Sequence, residues 1–504
     1  MPTKETFKKH IEEGYKTKGD AIILGSGMFG EETVTNAFVK IPLKTLNRHG
    51  LIAGATGTGK TKSLQVLAEN LSENGIPVLL MDVKGDLSGL AKASPGHKKI
   101  DERHASIGLP FTAKAFPVEI LTISEQNGTR MRATVSEFGP VLLSRILDLT
   151  DTQSGIVAIL FKYCDDNKLP LLDLKDFKKI LQYATQEGKK EIEADYGKIS
   201  TSSTGAILRK IVELEQQGGE LFFGERSFEV RDLARVDENG NGIISILRLT
   251  DIQDRPKLFS TFMLQSLAEI YDTFPEQGDS DRPELVIFID EAHLIFDQAS
   301  KALLNQIESI VKLIRSKGIG LYFVTQNPDD VPSEVLSQLG LKIQHALRAF
   351  TARDRKAIKL AAENYPISEY YDTDEVLTKL GIGEALVSCL NEKGIPTPLA
   401  RTMLRAPMSR MDILTDAELE ALINNSKLAK KYNEIVDRES AYEILNKKIE
   451  KVEALEAREA KEKTEKKQSP RRSKSNTRMN PLVKVLTSAT FMRGVLGILK
   501  KAMR

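Results

Sequence analysis

The chain has 504 residues, 41% hydrophobic and 28% charged, with no Trp and a formal net charge of +2. That length accommodates two or three domains around a large core, and so small a net charge argues neither for nor against nucleic acid. No apolar run approaches the roughly 20 residues a membrane helix needs, the N-terminus lacks a signal-peptide pattern, and Cys164 and Cys389 show neither metal-ligand spacing nor a disulfide framework. These exclusions predict a cytoplasmic protein.

In chain order, residues 1–45 read as a short lead-in, helical at first and then a strand or two around AIILGSG and NAFVKIPL. A core is expected over 46–405. The run from His49 to Ala53 suits a buried strand, and Leu64, Leu67, Ala68 and Leu71 fall at helical spacing. A second buried strand ends at Asp82, followed by the turn Lys84-Gly85-Asp86, so this stretch is a βαβ unit and implies a mostly parallel sheet covered by helices. Residues 95–240 read as a mostly helical insertion, with patterns over Val141–Leu149, Ile156–Tyr163 and Ile207–Leu214. The sheet resumes at Ile243–Leu247, and a helix follows from Lys257 to Thr273. The apolar run from Leu285 to Ile289 ends in Asp290-Glu291. A helix over 300–316 precedes a strand over Gly320–Pro328 with a polar tip that begins at Gln326. Strands are predicted at Leu341–Ala346 and Ala385–Leu390, the latter in a hairpin with Pro398–Leu404. A helical extension covers 406–467, a Ser/Pro/Arg linker 468–481, and a basic amphipathic helix 482–504. From Gln468 onward there are cations but no acid.

Between the first core strand and its helix stands GATGTGKT, residues 54–61. Gly54, four residues, then Gly59-Lys60-Thr61 is the pattern of a phosphate-binding P-loop. Glycines let backbone N–H groups close around phosphates, and the next helix presents its N-terminal N–H groups to the anion. Gly54, Ala55, Thr56, Gly57, Thr58, Gly59, Lys60, Thr61 and Lys62 are therefore the candidate ATP-binding residues. Lys60 supplies charge to the β- and γ-phosphates, and the Thr61 hydroxyl is a ligand for Mg²⁺.

Binding is not hydrolysis. Asp290 and Glu291 at a strand end supply a second Mg²⁺ ligand and a general base for the attacking water. Gln326 either senses the γ-phosphate or bonds the loop backbone. Arg315 lies ahead of the Gln326 strand, away from its own strand tips; it acts across a subunit interface or is a solvated helix-end cation. Arg348 and Arg353 are rivals for that role. His293 links catalytic strand to substrate or simply packs, and Asp82 and Asp86 face the site or build a turn.

LNRHGLIAGATGTGKT, MDVKGDLSGL, LVIFIDEAHLIF, IRSKGIGLYFVTQNP and GIGEALVSCL together resemble the HerA-like branch of the HerA/FtsK P-loop ATPases, more narrowly its bacterial helicase HerA-like (YjgR-like) members. The motifs span about residues 45–405 in the right order. The resemblance implies a RecA-like sheet, a homo-oligomeric ring, usually a hexamer, ATP between subunits, and translocation along DNA. It carries Lys60, Thr61, Asp290, Glu291 and Gln326 over by motif position and matches Arg315 to the arginine supplied in trans. HerA proper has an N-terminal β-barrel, and about 45 residues ahead of the P-loop strand are too few for it in full. Its partner nuclease and a duplex track therefore do not carry over. Beside a DNA motor, two other classes remain open: an ATPase that remodels protein assemblies, and a membrane-surface protein using 482–504.

Overall fold

The computed structural model describes residues 3–468 except 252–254, 279, 297–300, 350, 435 and 437. The linker and amphipathic helix expected toward the C-terminus fall, from residue 469 on, outside the described residues. Met1–Leu445 form one compact unit; a second starts at Asn446, and its described part continues the helix Ala441–Gln468. Among the described residues no helix is long and apolar enough to cross a membrane.

One sheet organises the first unit. Its strands are β1 Ala21–Phe29, β2 Glu32–Pro42, β3 Gly50–Ala53, β4 Val78–Asp82, β5 Val118–Thr122, β6 Thr129–Arg130, β7 Ile244–Arg248, β8 Leu285–Ile289, β9 Ile319–Thr325, β10 Leu341–Gln344, β11 Glu384–Ser388 and β12 Ala400–Leu404. They lie in the order β2-β1-β12-β11-β10-β3-β9-β8-β4-β7-β5-β6. From β10 to β6 every pairing is parallel, whereas β10-β11-β12-β1-β2 pair antiparallel. The central strands are buried at every residue, as expected for a parallel sheet covered on both faces. The chain is thus an α/β P-loop fold with a mostly parallel sheet.

The lead-in does not stand apart. Helix α1, Lys4–Gly14, packs on β1 and β2, which form the antiparallel margin of the same sheet. Its C-terminal Tyr15 donates to the carbonyls of Val387 and Pro398 at 3.0 and 2.6 Å, tying it to the β11–β12 hairpin.

Besides its helices, the segment 95–240 contributes β5 and β6 to the sheet, two strands the sequence reading did not anticipate. Glu119, the second residue of β5, breaks the apolar signal; the carboxylate is buried and paired with Arg235 at 3.5 Å. The segment's longest helices are Val135–Ile146, Asp151–Asp166, Leu174–Thr185 and Thr201–Gln216. Each opens on a side chain that accepts a first-turn N–H: Thr134, Thr150, Asp173 and Ser200.

Candidate active site

The carboxyl ends of β3, β9, β8 and β4 lie side by side, and four of the sequence motifs meet there. β3 runs into the P-loop at Gly54, whose φ of +150° and close approach to His345 leave no room for a side chain; a Cβ would stand 2.5 Å from the His345 Cβ. The Gly54 N–H donates to Thr325 O at 3.3 Å and the Ala55 N–H to Ala346 O at 2.8 Å, so β9 and β10 clasp the loop from both sides. Gly59, with φ +112°, caps helix α2, Lys60–Glu73, without any side-chain cap, leaving first-turn N–H groups for a ligand. Thr56 and Gly57 form the exposed crest, and a Cβ on Gly57 would meet nothing. The Thr58 hydroxyl closes the turn on Ala55 O at 2.7 Å.

Lys60 is buried, and its ammonium donates to Gly54 O at 2.6 Å. Burial pulls its pKa down, followed by the charge of Lys84, while Glu291 and Asp290 oppose the shift. Thr61 follows, half-buried at the helix start. Lys62 turns elsewhere: its ammonium donates to Met411 O at 2.6 Å and Gln65 Oε1 at 3.2 Å. His345 backs the loop, with its Nε2 2.8 Å from Ser63 Oγ, and burial and then Lys60 push its pKa down to about 4.

Asp290 ends β8 beside β4, and burial pushes its carboxyl up to about 7, with Glu291 and Asp82 adding to the shift against Lys84. Glu291 takes a left-handed backbone, φ +48°, a conformation a non-glycine residue holds only when its surroundings impose it. Its buried carboxylate is ion-paired with Lys84 and lies 3.2 Å from His293 Nδ1. Lys84 was passed over in the sequence, where it reads as a turn residue. Asp82 builds that turn by accepting the N–H groups of Gly85, Asp86 and Leu87 at 2.7, 3.3 and 3.1 Å. Gln326 stands exposed one residue beyond the Thr325 carbonyl that receives the Gly54 N–H.

Arg315 is not with this group. It opens the turn Arg315–Lys317 ahead of β9, at the amino edge of the sheet, and is exposed. Beside it is Arg48, which ends the turn before β3 and whose charge, after burial, pulls the Arg315 pKa down. Lys44, Arg48, Lys312 and Arg315 line a cleft of about 650 Å³ with Glu276 and Glu392. Arg348 is exposed near the carboxyl end of β10 and donates to Thr378 O at 3.1 Å; the Arg353 side chain lies outside the described residues.

Oxygen donors from Thr61 and from the buried acid Asp290 suit a hard cation such as Mg²⁺. The glycine cradle, the uncapped helix start and Lys60 suit phosphates.

A family model described as Helicase HerA-like C-terminal matches residues 29–502. The DNA double-strand break repair helicase HerA of Saccharolobus solfataricus is 25% identical over 397 residues, covering 77% of this chain and 69% of that one. HerA of Sulfolobus acidocaldarius is 22% identical, covering 72% and 66%, and the DNA import protein CedB of the same organism is 26% identical, covering 79% and 58%. The chain thus spans about two thirds or less of these relatives' lengths. Among solved structures, the bacterial conjugative coupling protein TrwB superposes with a TM-score of 0.52 at 16% identity, over 81% of this chain and 94% of that one. TrwB bound to a non-hydrolysable ATP analogue gives 0.53 at 16%, over 80% and 94%. At that identity the likeness is one of fold.

Proposed function

The chain belongs to the Helicase HerA-like C-terminal family, and on that premise we propose that it is an ATP-hydrolysing motor that acts on DNA as a ring of identical copies. One observation carries the reading: the Gly54–Thr61 loop and the Asp290–Glu291 pair converge on the carboxyl edge of a single parallel sheet.

In this reading the P-loop N–H groups and Lys60 bind the triphosphate, from Gly54 to Lys60 as the cradle. Thr61 and Asp290 would hold Mg²⁺, which supplies charge neutralisation on the phosphate oxygens. Glu291 accepts the proton of the water whose oxygen attacks the γ-phosphorus as the bond to the β-phosphate oxygen breaks. Gln326 orients that water. Arg315 neutralises the leaving charge in a neighbouring copy's site, because it stands at the edge opposite its own P-loop, and Arg48 beside it is a second cation for the same task. Lys62 serves the helix rather than the phosphates, since its ammonium is engaged with Met411 O. DNA as the track is supported by the HerA and CedB relatives, which are named for DNA repair and DNA import.

The test is ATP turnover with and without single- and double-stranded DNA, on protein whose mass has been measured in solution. Turnover that rises with DNA and falls steeply with salt is expected. If turnover is the same with and without DNA at low salt, the DNA half of the reading is lost, and the ATPase that remodels protein assemblies takes its place.

A further inference from the structure

The motif GIGEALVSCL, residues 381–390, supplies none of the groups assigned above to phosphate, metal or water, yet its first residues touch the P-loop. The Gly383 N–H donates to Thr58 O at 3.1 Å, and a Cβ on Gly59 would stand 3.4 Å from the Gly383 nitrogen. The Thr58 and Glu384 carbonyls also face the buried ring of His345 beneath the loop. By contrast, Gly54 O and Ala55 O are engaged from within: both accept from the Lys60 ammonium, at 2.6 and 3.3 Å, and Ala55 O also from the Thr58 hydroxyl at 2.7 Å.

A trans peptide unit is planar, so a C=O and the N–H that follows it point in opposite directions. Holding Thr58 O toward Gly383 therefore turns the Gly59 N–H away from Gly383. That N–H donates to no protein group among the described residues, and it stands at the uncapped start of α2, where an anion gains most from it.

The 381–383 loop does not hold this position with its own side chains. Two of its three residues have none, and Ile382 is 73% exposed. Arg103, in helix α3, Lys98–Ile107, holds it instead. Its Nη1 donates to Gly383 O and Leu404 O and its Nη2 to Ile382 O, each at 3.1 Å. The Leu404 N–H donates to Gly383 O as well, at 3.0 Å, which ties the loop to β12. The nearby Glu384 carboxylate is paired with Arg401 at 2.7 Å, and among the described residues no carboxylate stands at ion-pair distance from Arg103. The half-buried guanidinium is thus taken up by main-chain carbonyls, which its rigid planar fork can meet in fixed directions. Gly383 fits beneath it only without a side chain: its φ is +76°, and a Cβ would stand 2.5 Å from Arg103 Nη1. Helix α3 is itself anchored, since His104 Nε2 accepts the Ala406 N–H at 3.2 Å.

Resting on the nucleotide-binding reading above, we propose that Arg103 and Gly383 are positioning residues of the phosphate cradle. Arg103 fixes the 381–383 loop, and the Gly383 N–H fixes the Thr58 carbonyl so that the Gly59 N–H is aimed at the bound anion. Neither residue touches the phosphates; both act through the Thr58–Gly59 peptide.

The experiment measures the affinities of inorganic tripolyphosphate and of ATP, each with Mg²⁺, for the full-length protein and for Arg103→Met, Gly383→Ala and Arg132→Met, all well below their melting temperatures. Arg132 is the control. It also bridges main-chain carbonyls, donating to Glu225 O and Tyr432 O at 3.1 and 3.2 Å, but it follows β6, at the end of the sheet remote from β3. Arg103→Met and Gly383→Ala are each expected to weaken tripolyphosphate and ATP alike by about tenfold or more, the scale of one misaimed hydrogen bond to a charged group. Gly383→Ala alters no charge, so its loss separates aiming of the cradle from simple attraction by Arg103. Arg132→Met is expected to keep both affinities, whatever it does to the melting temperature. Tripolyphosphate affinity unchanged in Arg103→Met or in Gly383→Ala, or lowered as much in Arg132→Met, overturns the proposal while leaving the P-loop reading in place. Failure of both tripolyphosphate and ATP to bind the unaltered protein overturns the two together.

Discussion

At the carboxyl edge of the sheet Lys60, Asp290 and Glu291 are only 5, 4 and 6% exposed, whereas at the amino edge Arg315 and Lys312 stand in solvent. The buried charges are held against one another: Lys84 pairs with Glu291, and Lys60 bonds the loop carbonyls. Among the described residues Arg48 and Arg315 have no carboxylate at ion-pair distance. Charges removed from water must be paired or shift their pKa, so the carboxyl edge is preorganised at a cost in stability. The amino-edge arginines are less withdrawn from water, Arg315 exposed and Arg48 half-buried, although partial burial and their mutual repulsion still lower the Arg315 pKa. One edge carries buried charges held against one another, while the other presents cations to solvent.

Substitutions at four positions would break or sharpen that contrast. The largest effect is expected from Lys60→Ala, which should leave no measurable ATP turnover and weaken triphosphate binding, because in the proposed reading Lys60 supplies the loop's charge to the phosphates. Retained turnover would mean that the P-loop is not the hydrolytic site. Next, Arg315→Ala should lower kcat by roughly 10³-fold or more with nucleotide affinity and melting temperature unchanged, since the side chain is exposed. Mixing it with Lys60→Ala protein should restore part of the activity through mixed interfaces; absence of rescue puts Arg315 outside a shared site.

Lys84→Met is expected to be milder, a fall in kcat of roughly 10–100-fold without a change in nucleotide affinity, as Glu291 loses the cation that orients it. Lys84→Arg should recover much of that fall; a loss that Arg does not recover would count against an orienting charge.

The smallest effect concerns stability. The Asp290 carboxyl is pushed up to about 7 from an ordinary value of 3.8, so the folded protein keeps a proton the unfolded chain has released. The stability from this group is therefore fully present below the unfolded value and declines as pH rises from about 4 through 7. Without Mg²⁺ or nucleotide, Asp290→Asn should be more stable than the unaltered protein at pH 8, by at most a few kcal/mol. The gain should vanish near pH 4. Thermal melts at the two pH values check this, and equal stability at pH 8 would remove burial as the source of the shift.

Much of the carboxyl edge was legible in the sequence, because glycine spacing and a strand ending in two acids are local patterns. Short apolar runs bounded by turns gave β3, β4, β7 and β8 within a residue or two, and β9 with its polar tip extended three residues too far. β5 was hidden because Glu119 breaks its apolar run, and the groups that satisfy that buried carboxylate include Arg235 and Ser426, both more than a hundred residues away. Lys84 and Arg48 were passed over for the same reason. Nothing within a few residues of either says that strand order will carry Lys84 to Glu291 or bring Arg48 alongside Arg315. The engagement of Lys62 with the 405–412 segment likewise joins positions far apart in the chain.

The sequence by itself determined that a phosphate cradle and an acid pair exist and sit at strand ends, since backbone conformation and apolar periodicity are set by neighbouring residues. Only the tertiary structure decided which strands lie side by side, and with them which charges are buried in pairs and which are left to solvent. Burial and pairing are properties of residues brought together across the sheet, and sequence distance carries no record of them.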